Sequence, residues 1–281
     1  MVALVSPLLA VASVATLVIA ARSLPSGRGT SAKPVVPASP VVHLLFVPTT
    51  GSFYPGSYYF ANPNADSTGN CVSACSDYRQ VIFTLPFDGW ASKNGLVYKH
   101  PGQPDEVAFS LWAVRDVYDD PCRWQHSALS RLDITHQTGV VNGAIVLAPY
   151  VGGLANQTLR GPIPRAITPV TFMSVWGGTT ERVTALRIDL SLPAELDISI
   201  CDKGQFRSWP VAYNGAEANS AASLTDESAN SHHVSGQLDS VYMVNVDRWP
   251  LVIDASHMPA TSPADLMELR TILASIVIDR G

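Results

Sequence analysis

The residues that could perform catalysis are scattered along this chain, and none of them falls in a recognised catalytic motif. Asp119 and Asp120 are paired carboxylates, but adjacent acids before Pro121 more often shape a turn than perform acid–base chemistry. The Gly-x-Ser-x-Gly pattern of serine hydrolases does not occur. The glycine-rich nucleotide motifs and the zinc-protease motif His-Glu-x-x-His do not occur either. We therefore assign no catalytic residue from the sequence.

Cysteine and histidine spacing does not predict a metal site. Cys71 and Cys75 form a Cys-x3-Cys pattern without a second Cys or His pair at zinc spacing. His232 and His233 are adjacent, so in an extended chain their side chains lie on opposite faces. We assign no metal and no cofactor to this chain.

Four cysteines suggest two disulfides, because oxidising compartments preserve such bonds. Four cysteines allow three pairings. Our preferred pairing joins Cys71 with Cys75, which closes a small loop, and Cys122 with Cys201, which ties two distant parts of the domain.

Aromatic residues provide a candidate ligand surface. Tryptophan and tyrosine side chains can line a pocket or anchor an interface, although most of them pack in protein cores. The candidate ligand-surface residues are Tyr54, Tyr58, Tyr59, Trp124 and Trp209.

The apolar run from Val2 to Ala21 is the strongest local signal in the chain. It has no charge and is long enough to cross a hydrocarbon core of roughly 30 Å. A cleaved signal peptide should have a basic n-region, which is missing here, so cleavage and retention as an anchor both stay open. The basic residues at 22, 28 and 33 would by themselves favour a cytoplasmic domain, whereas the cysteines favour an exported one.

Composition separates an export segment from a single folded domain. We predict a signal peptide or membrane anchor over 1–22, a Pro/Ser-rich linker over 23–42 and an extracytoplasmic domain over 43–281. With 47% hydrophobic residues the chain can bury a sizeable core. After residue 42 it has 15 basic and 23 acidic residues, a formal charge of −8, which argues against nucleic acid as a partner.

Hydrophobic periodicity predicts an α+β domain, with an antiparallel sheet packed by a C-terminal helix and preceded by an N-terminal apolar helix and a linker. Ser262 is a natural N-cap, Pro263 suits the first helical turn and Asp265 takes the capping-box position. A second helix is predicted over 140–154, where the chain is apolar and rich in alanine. The predicted strands cover residues 42–47, 80–85, 107–114, 170–175, 183–190, 238–246 and 250–255.

Several segments resemble a family of uncharacterised exported actinobacterial proteins, which are lipoprotein-like or membrane-anchored. The matching pieces are Gly56-Ser-Tyr-Tyr59, FTLPFDGW ending at Trp90, VYDDPCRW over 117–124, ICDKGQFRSWP over 200–210 and the segment 250–276. The Asp-Pro-Cys-x-Trp and Phe-Arg-Ser-Trp motifs are the most specific of these. The resemblance implies a bond between Cys122 and Cys201, which lie inside shared pieces, and it implies no particular activity. The C-terminal pattern of a strand, a Ser-Pro-capped helix and a short apolar run is similar to that of PsbP-like domains, which are adaptor or accessory domains. This similarity concerns the fold and implies no function.

We predict an exported binding or accessory module, either secreted or anchored to the outer face of the cell membrane. Its expected partners are a protein or small-molecule ligand of unknown identity and, through the N-terminal segment, the membrane. An alternative is an extracytoplasmic hydrolase whose site is assembled from Asp119, His126, Arg207 and Asp254. That site would need a base within hydrogen-bond reach of a nucleophile in one cleft. A structural protein of the cell envelope is a further alternative.

Overall fold

Strands make up most of the described structure, because apolar and polar residues alternate along many segments. The structure is a computed structural model that describes residues 44–48, 50–62, 78–93, 95–114, 116–131, 138–141, 144–147, 163–210, 231–232, 235–244, 246 and 251–281. The predicted N-terminal segment 1–22 and the linker 23–42 lie outside these residues. No helix in the described ranges is long and apolar enough to cross a bilayer.

The strands, in chain order, are β1 (Leu44–Phe46), β2 (Thr50–Ser52), β3 (Gly56–Ala61), β4 (Gln80–Leu85), β5 (Ala91–Lys93), β6 (Leu96–Lys99), β7 (Val107–Ala113), β8 (Asp116–Tyr118), β9 (Leu129–Arg131), β10 (Thr138–Val141), β11 (Ala144–Leu147), β12 (Ile163–Trp176), β13 (Thr179–Ser191), β14 (Phe206–Arg207), β15 (Ser231–His232), β16 (Leu238–Val244), β17 (Leu251–His257) and β18 (Val277–Asp279). Helix α1 (Pro263–Ala274) precedes β18, and two short 3₁₀ turns span Ile198–Ile200 and Asp202–Gly204.

Twelve of the described strands form one mixed sheet. Their order is β1-β3-β4-β18-β12-β13-β16-β17-β7-β6-β5-β2. The pairs β1–β3 and β12–β18 are parallel, and the other pairs in the sheet are antiparallel. The remaining six described strands form the antiparallel pairs β8–β9, β10–β11 and β14–β15.

The α+β prediction is wrong. The described chain is dominated by one large mixed sheet and has a single α-helix, so it is mainly β. Strands such as β2 and β5 contain too few apolar residues to show an alternating pattern, and they form because a neighbouring strand supplies their hydrogen-bond partners. The parallel pair β12–β18 joins segments about 100 positions apart, because Met173 lies opposite Val277, so local periodicity gives no indication of it.

The predicted helix over 140–154 is also wrong where the structure describes it. That stretch contributes to the β10–β11 hairpin, in which Val140 lies opposite Ile145. β-branched residues such as these lose side-chain freedom in a helix and fit a pleated sheet. The long strands predicted from alternation are confirmed in position, and β4 has the predicted bounds, Gln80–Leu85.

The large sheet curls around a single aromatic core. Phe83 on β4 and Phe109 on β7 are six places apart in the strand order, which would separate them by about 29 Å in a flat sheet. Their ring centroids nevertheless lie 5.1 Å apart in an edge-to-face arrangement. The sheet therefore bends until distant strands share one interior, which also contains Trp90 and, from α1, Leu269 and Ile272.

Helix α1 begins as the sequence predicts. The Ser262 hydroxyl accepts a hydrogen bond from the Asp265 backbone N–H at 3.1 Å and donates to the Asp265 carboxylate at 2.6 Å. Pro263 occupies the first turn, where no backbone donor is needed. The helix buries Leu269, Ile272 and Leu273 against the aromatic core. This prediction is confirmed.

A charged cluster ties α1 to the sheet. The Lys99 ammonium lies 3.2 Å from the Asp265 carboxylate and 2.5 Å from that of Glu268. The Trp90 indole N–H donates to the same Glu268 carboxylate at 3.0 Å. The Lys99 and Asp265 side chains are only 11% and 13% exposed, so this contact is weakly screened by solvent.

We expect Lys99→Met to lower the free energy of unfolding by about 2 kcal/mol near neutral pH, because it leaves two half-buried carboxylates without their cation. Lys93 on β5 is exposed, so Lys93→Met is the matched control and should change stability by less than about 0.5 kcal/mol. Urea unfolding of both variants measures the difference. Equal effects at the two lysines would show that the cluster does not stabilise the fold.

The effect of Lys99→Met should depend on pH. Burial disfavours the Asp265 carboxylate, but hydrogen bonds from Ser262 and Lys99 outweigh burial and lower its pKa. The contribution of the Asp265 carboxylate to the free energy of unfolding is fully present above the unfolded-state pKa of aspartate. It is lost as pH falls through the lowered folded-state pKa of Asp265. Burial likewise disfavours charged Lys99, yet hydrogen bonds to Glu268 and Asp265 raise its pKa, so its contribution is lost only as pH rises through that raised value. The difference between wild type and variant should therefore shrink in acid.

Candidate functional site

A polar cluster lies on the face of the sheet that packs against α1. Register places Arg187 on β13 opposite Tyr242 on β16, and Asp189 opposite Ser240. His257 on β17 lies on the same face, because it pairs with Leu238 of β16. Arg270 of α1 acts electrostatically on both Tyr242 and His257. We call these residues the Arg187 cluster: Arg187, Asp189, Ser240, Tyr242, His257 and Arg270.

Three members of the cluster form a closed hydrogen-bonded triangle. The Arg187 Nε donates to Asp189 Oδ1 at 2.7 Å, and its Nη2 donates to the Ser240 hydroxyl at 3.1 Å. The Ser240 hydroxyl donates its own proton to Asp189 Oδ1 at 2.7 Å. The Arg187 guanidinium also lies 5.7 Å from the centroid of the Tyr242 ring. These contacts hold Arg187 in a fixed orientation at the sheet surface.

The triangle disfavours Ser240 as a nucleophile. A catalytic serine passes its proton to a base, commonly a histidine, as it attacks. Here the hydroxyl proton points to the Asp189 carboxylate, while the oxygen accepts a hydrogen bond from Arg187. An oxygen whose lone pair is engaged by a guanidinium is less nucleophilic. The arrangement suits the binding of a ligand better than attack on one.

His257 and Tyr242 are both held in their neutral forms near pH 7. Burial lowers the pKa of His257, and the charge of Asp239 on the same sheet only partly opposes this effect. The charges of Arg270 and Arg187 also lower it, and that of Asp189 raises it. Burial raises the pKa of the Tyr242 phenol. A neutral imidazole offers one donor and one acceptor, whereas the Tyr242 phenol already interacts with the Ser240 side chain.

Two members of the cluster have no protein partner in the described ranges. The His257 imidazole makes no hydrogen bond there, and the Arg270 guanidinium makes no ion pair. His257 is half-buried and Arg270 is exposed. Arg187 is paired with Asp189, and the charges of Asp239 and Arg270 act on the His257 imidazole with opposite sign.

The structure divides the candidate ligand-surface residues between different regions. Tyr54 is 79% exposed and Tyr59 is half-buried, whereas Tyr58, at 4%, packs in the aromatic core. The Tyr58 hydroxyl donates to the Tyr54 carbonyl at 2.8 Å, whereas Tyr59 follows Tyr58 in β3 and packs against Phe46 on the other face of the strand. Trp209 is fully buried in an apolar cluster on the opposite face of the sheet. Trp124 is 8% exposed and packs against the disulfide-bonded segments.

The four residues of the hydrolase alternative differ in burial. Asp119 and His126 are exposed. Arg207 and Asp254 are buried, at 4% and 7% exposure. The Arg207 guanidinium donates two hydrogen bonds to the Gln205 side chain, at 2.6 and 3.1 Å.

The predicted Cys122–Cys201 disulfide is confirmed, with the two Cα atoms 4.5 Å apart. Asp120 shapes the turn before it, as the sequence suggests, by accepting hydrogen bonds from the backbone N–H groups of Cys122 and Arg123 at 3.0 and 3.1 Å. Cys71 and Cys75 lie outside the described residues, so their pairing stays a prediction.

The two most specific sequence motifs meet beside the disulfide. The Trp124 indole N–H donates to the backbone carbonyls of Asp202 and Gln205 at 3.1 and 3.2 Å. The Arg207 guanidinium stacks 4.2 Å from the Trp124 ring centroid. Asp-Pro-Cys-x-Trp and Phe-Arg-Ser-Trp therefore form one packed structural unit.

Sequence reasoning missed the Arg187 cluster because its members are spread over 84 positions and match no motif. One signal was present. Arg187 and Asp189 alternate with apolar residues in a long strand, and they occupy the side that faces the core near the helix. Polar residues on that side of a half-buried strand mark a position where the core ends or a site begins.

Comparisons with known proteins give no relative. No family model matches this chain, and neither does any curated protein or solved structure. The geometry of the Arg187 cluster and the disulfide-bonded unit is therefore the basis for assigning a function.

Proposed function

We propose that this protein is an extracytoplasmic binding or accessory module that takes a small polar ligand at the Arg187 cluster. The observation that carries the proposal is an arginine held in place by Asp189 and Ser240, on the same sheet face as the His257 imidazole, which has no hydrogen-bond partner in the described part of the chain. Binding sites commonly combine an apolar wall with a few convergent polar groups. The aromatic core beside Tyr242 supplies such a wall, since the Phe172 and Tyr242 rings lie 5.6 Å apart.

The location outside the cytoplasm rests on two observations. The Cys122–Cys201 disulfide is typical of proteins in oxidising compartments. The uncharged segment Val2–Ala21 has the composition of an export or anchor segment. In this proposal the membrane is a partner through that segment, and the resemblance to exported actinobacterial proteins agrees with it. N-terminal sequencing of the mature protein tests it: a start near Ala21 indicates secretion, and an intact Met1 in the membrane fraction indicates an anchor.

The binding function is tested by histidine NMR on the full chain. We expect a polar solute from a defined set, comprising acetate, phosphate, glucose and glycine, to shift the His257 ring resonance saturably. His126 is exposed and lies in the turn after Cys122, so its resonance is the internal control and should not shift. His257→Gln assigns the resonance. Shifts of equal size at both histidines would indicate a bulk solvent effect and would overturn the proposal.

The hydrolase alternative is tested with the ester p-nitrophenyl acetate. As a binding module, the protein should release p-nitrophenol no faster than buffer does. Ser240→Ala should leave that rate unchanged, because its proton is engaged by Asp189. A turnover that Ser240→Ala or His126→Ala abolishes would establish an enzyme and would rule out the non-catalytic assignment.

A further inference from the structure

A row of apolar side chains crosses the face of the sheet that points away from α1. Strand register sets one residue from each of six neighbouring strands side by side in this row. We call them the outer row: Phe46, Tyr59, Ile82, Val277, Met173 and Arg182. Their chain neighbours Tyr58, Phe83 and Ile278 belong to the aromatic core, so alternation along each strand directs the outer row to the other face.

From the outer row we infer a second contact with the membrane, in which this part of the sheet rests on the surface of a lipid bilayer. The apolar side chains enter the interfacial layer, and Arg182 pairs with a lipid phosphate. Only the location at a membrane is taken from the proposed function, because the Arg187 cluster lies on the other face of the sheet.

The outer row exposes apolar surface to solvent. Phe46 is 58% exposed and Met173 is 39% exposed, and the three apolar residues between them are half-buried. No member of the row belongs to a buried apolar cluster of the described ranges. On the same face of β13, β16 and β17, by contrast, the apolar cluster around Trp209 covers the sheet. A contiguous apolar row of this kind is typical of a surface that contacts a partner or a membrane.

The charge of this face differs from that of the domain. The domain has 23 acidic residues against 15 basic ones. On the outward positions of β1, β3, β4, β18 and β12 the only carboxylate is that of Asp279, which is 8% exposed and lies 2.5 Å from the Arg79 guanidinium. Arg182 is exposed and makes no ion pair within the described ranges. An acidic domain therefore meets the phosphates of a bilayer with the least repulsion when it approaches with this face.

The chain that leads into β1 also favours a bilayer. The uncharged segment Val2–Ala21 is long enough to span a membrane, and residues 22–43 connect it to the first strand of the outer row. Even fully extended, this connection reaches no more than about 75 Å. A retained anchor therefore keeps the domain at the membrane at a high effective concentration, so that a weak apolar contact is sufficient.

A second copy of this chain is the competing occupant of the outer row. A large apolar side chain presents about 150–250 Å², and the five apolar members are only partly exposed, so the row offers roughly 300 Å². A stable dimer interface buries about 800 Å² on each partner. The outer row is too small for such an interface, whereas each exposed apolar side chain can enter a bilayer independently of the others.

The experiment places the full chain, with ¹³C-labelled methionine methyl groups, in phosphatidylcholine nanodiscs that contain a nitroxide-labelled phosphatidylcholine. The readout is paramagnetic broadening of each methyl resonance, and Met173→Leu assigns the Met173 signal. Met267 on α1 is 59% exposed and serves as the internal control. We expect the Met173 methyl to broaden severalfold more than the Met267 methyl. Equal broadening of the two, or broadening of neither, would overturn the bilayer contact, whereas the binding function is judged separately from the His257 resonance.

Phe46→Glu and Leu129→Glu form a matched pair of variants. Both place a carboxylate at an exposed apolar position, since Leu129 on β9 is 52% exposed, but only Phe46 belongs to the outer row. Phe46→Glu should reduce the broadening of the Met173 methyl severalfold, and Leu129→Glu should leave it unchanged. Equal loss in both would indicate a general charge effect and would overturn the bilayer contact.

Two further measurements complete the test. Arg182→Gln should also reduce the broadening of the Met173 methyl, because it removes the group that pairs with a lipid phosphate. It does so at an exposed position, so a lost response in this variant is not a folding defect. A Met173 methyl shift that depends on protein concentration without lipid would assign the outer row to a second copy of the chain and would overturn the bilayer contact.

Discussion

Replacing Cys122 and Cys201 together by alanine should lower the free energy of unfolding by about 4 kcal/mol, the loss expected when a closed loop of this length is opened in the unfolded chain. The two cysteines are 79 positions apart, and both are buried in the packed unit that contains Trp124 and Phe206. Denaturant unfolding under oxidising conditions measures the loss as a lower transition midpoint.

Comparing the two proteins with and without a reductant measures the contribution of the Cys122–Cys201 bond apart from that of the other cysteines. When dithiothreitol is added, the free energy of unfolding of wild type should fall close to that of the double variant, because only wild type has a Cys122–Cys201 bond to reduce. A double variant as stable as oxidised wild type would show that packing around Trp124, rather than the covalent link, holds the two segments together.

Phe109→Ala should lower the free energy of unfolding by about 4 kcal/mol, the usual result of removing a fully buried aromatic ring. Phe109 has no exposed surface and contacts the rings of Phe83 at 5.1 Å and Trp90 at 6.3 Å. The curl of the sheet brings these rings together, so the cavity would open at the centre of the fold. Thermal or denaturant unfolding measures the loss.

Phe46 provides the matched control for this substitution. It lies on β1 at the end of the strand order and is 58% exposed. Phe46→Ala should therefore change stability by less than about 1 kcal/mol, since little apolar surface is removed from the core. Similar losses at Phe46 and Phe109 would contradict the curled sheet, because a flat sheet would leave both rings at comparable burial.

The apolar cluster around Trp209 and the proposed binding site lie on opposite faces of the sheet, whereas Phe109 and α1 lie on the same face as the site. The buried cluster around Trp209 packs on the face away from α1, and the disulfide-bonded unit has a separate buried cluster that includes Phe206. The Arg187 cluster lies on the face that α1 covers. Because His257 is half-buried and has no hydrogen-bond partner in the described ranges, its variants should change ligand binding with little change in the unfolding midpoint, in contrast to variants of the cysteines.

Local features of the structure follow closely from the sequence. The strand Gln80–Leu85 shows regular alternation, and the structure gives it the same bounds. The Ser262 cap, the turn at Asp120 and the Cys122–Cys201 bond are also found as predicted. The α+β class failed because strands such as β2 and β18 are short and gain stability only from partners far away in the chain. Pairing with distant strands produces no periodic pattern of apolar residues within these short strands.

What the sequence determined by itself is the set of interactions between near neighbours: an alternating strand, a helix cap and a turn, each governed by residues a few positions apart. What only the tertiary structure decided is the register that places Arg187 opposite Tyr242 and Asp189 opposite Ser240. The free energy that selects this register comes from burying apolar residues of β13 and β16, such as Ile188 and Val241, in one cluster on the opposite face. For that reason the Arg187 cluster follows from the tertiary structure and not from the local sequence pattern.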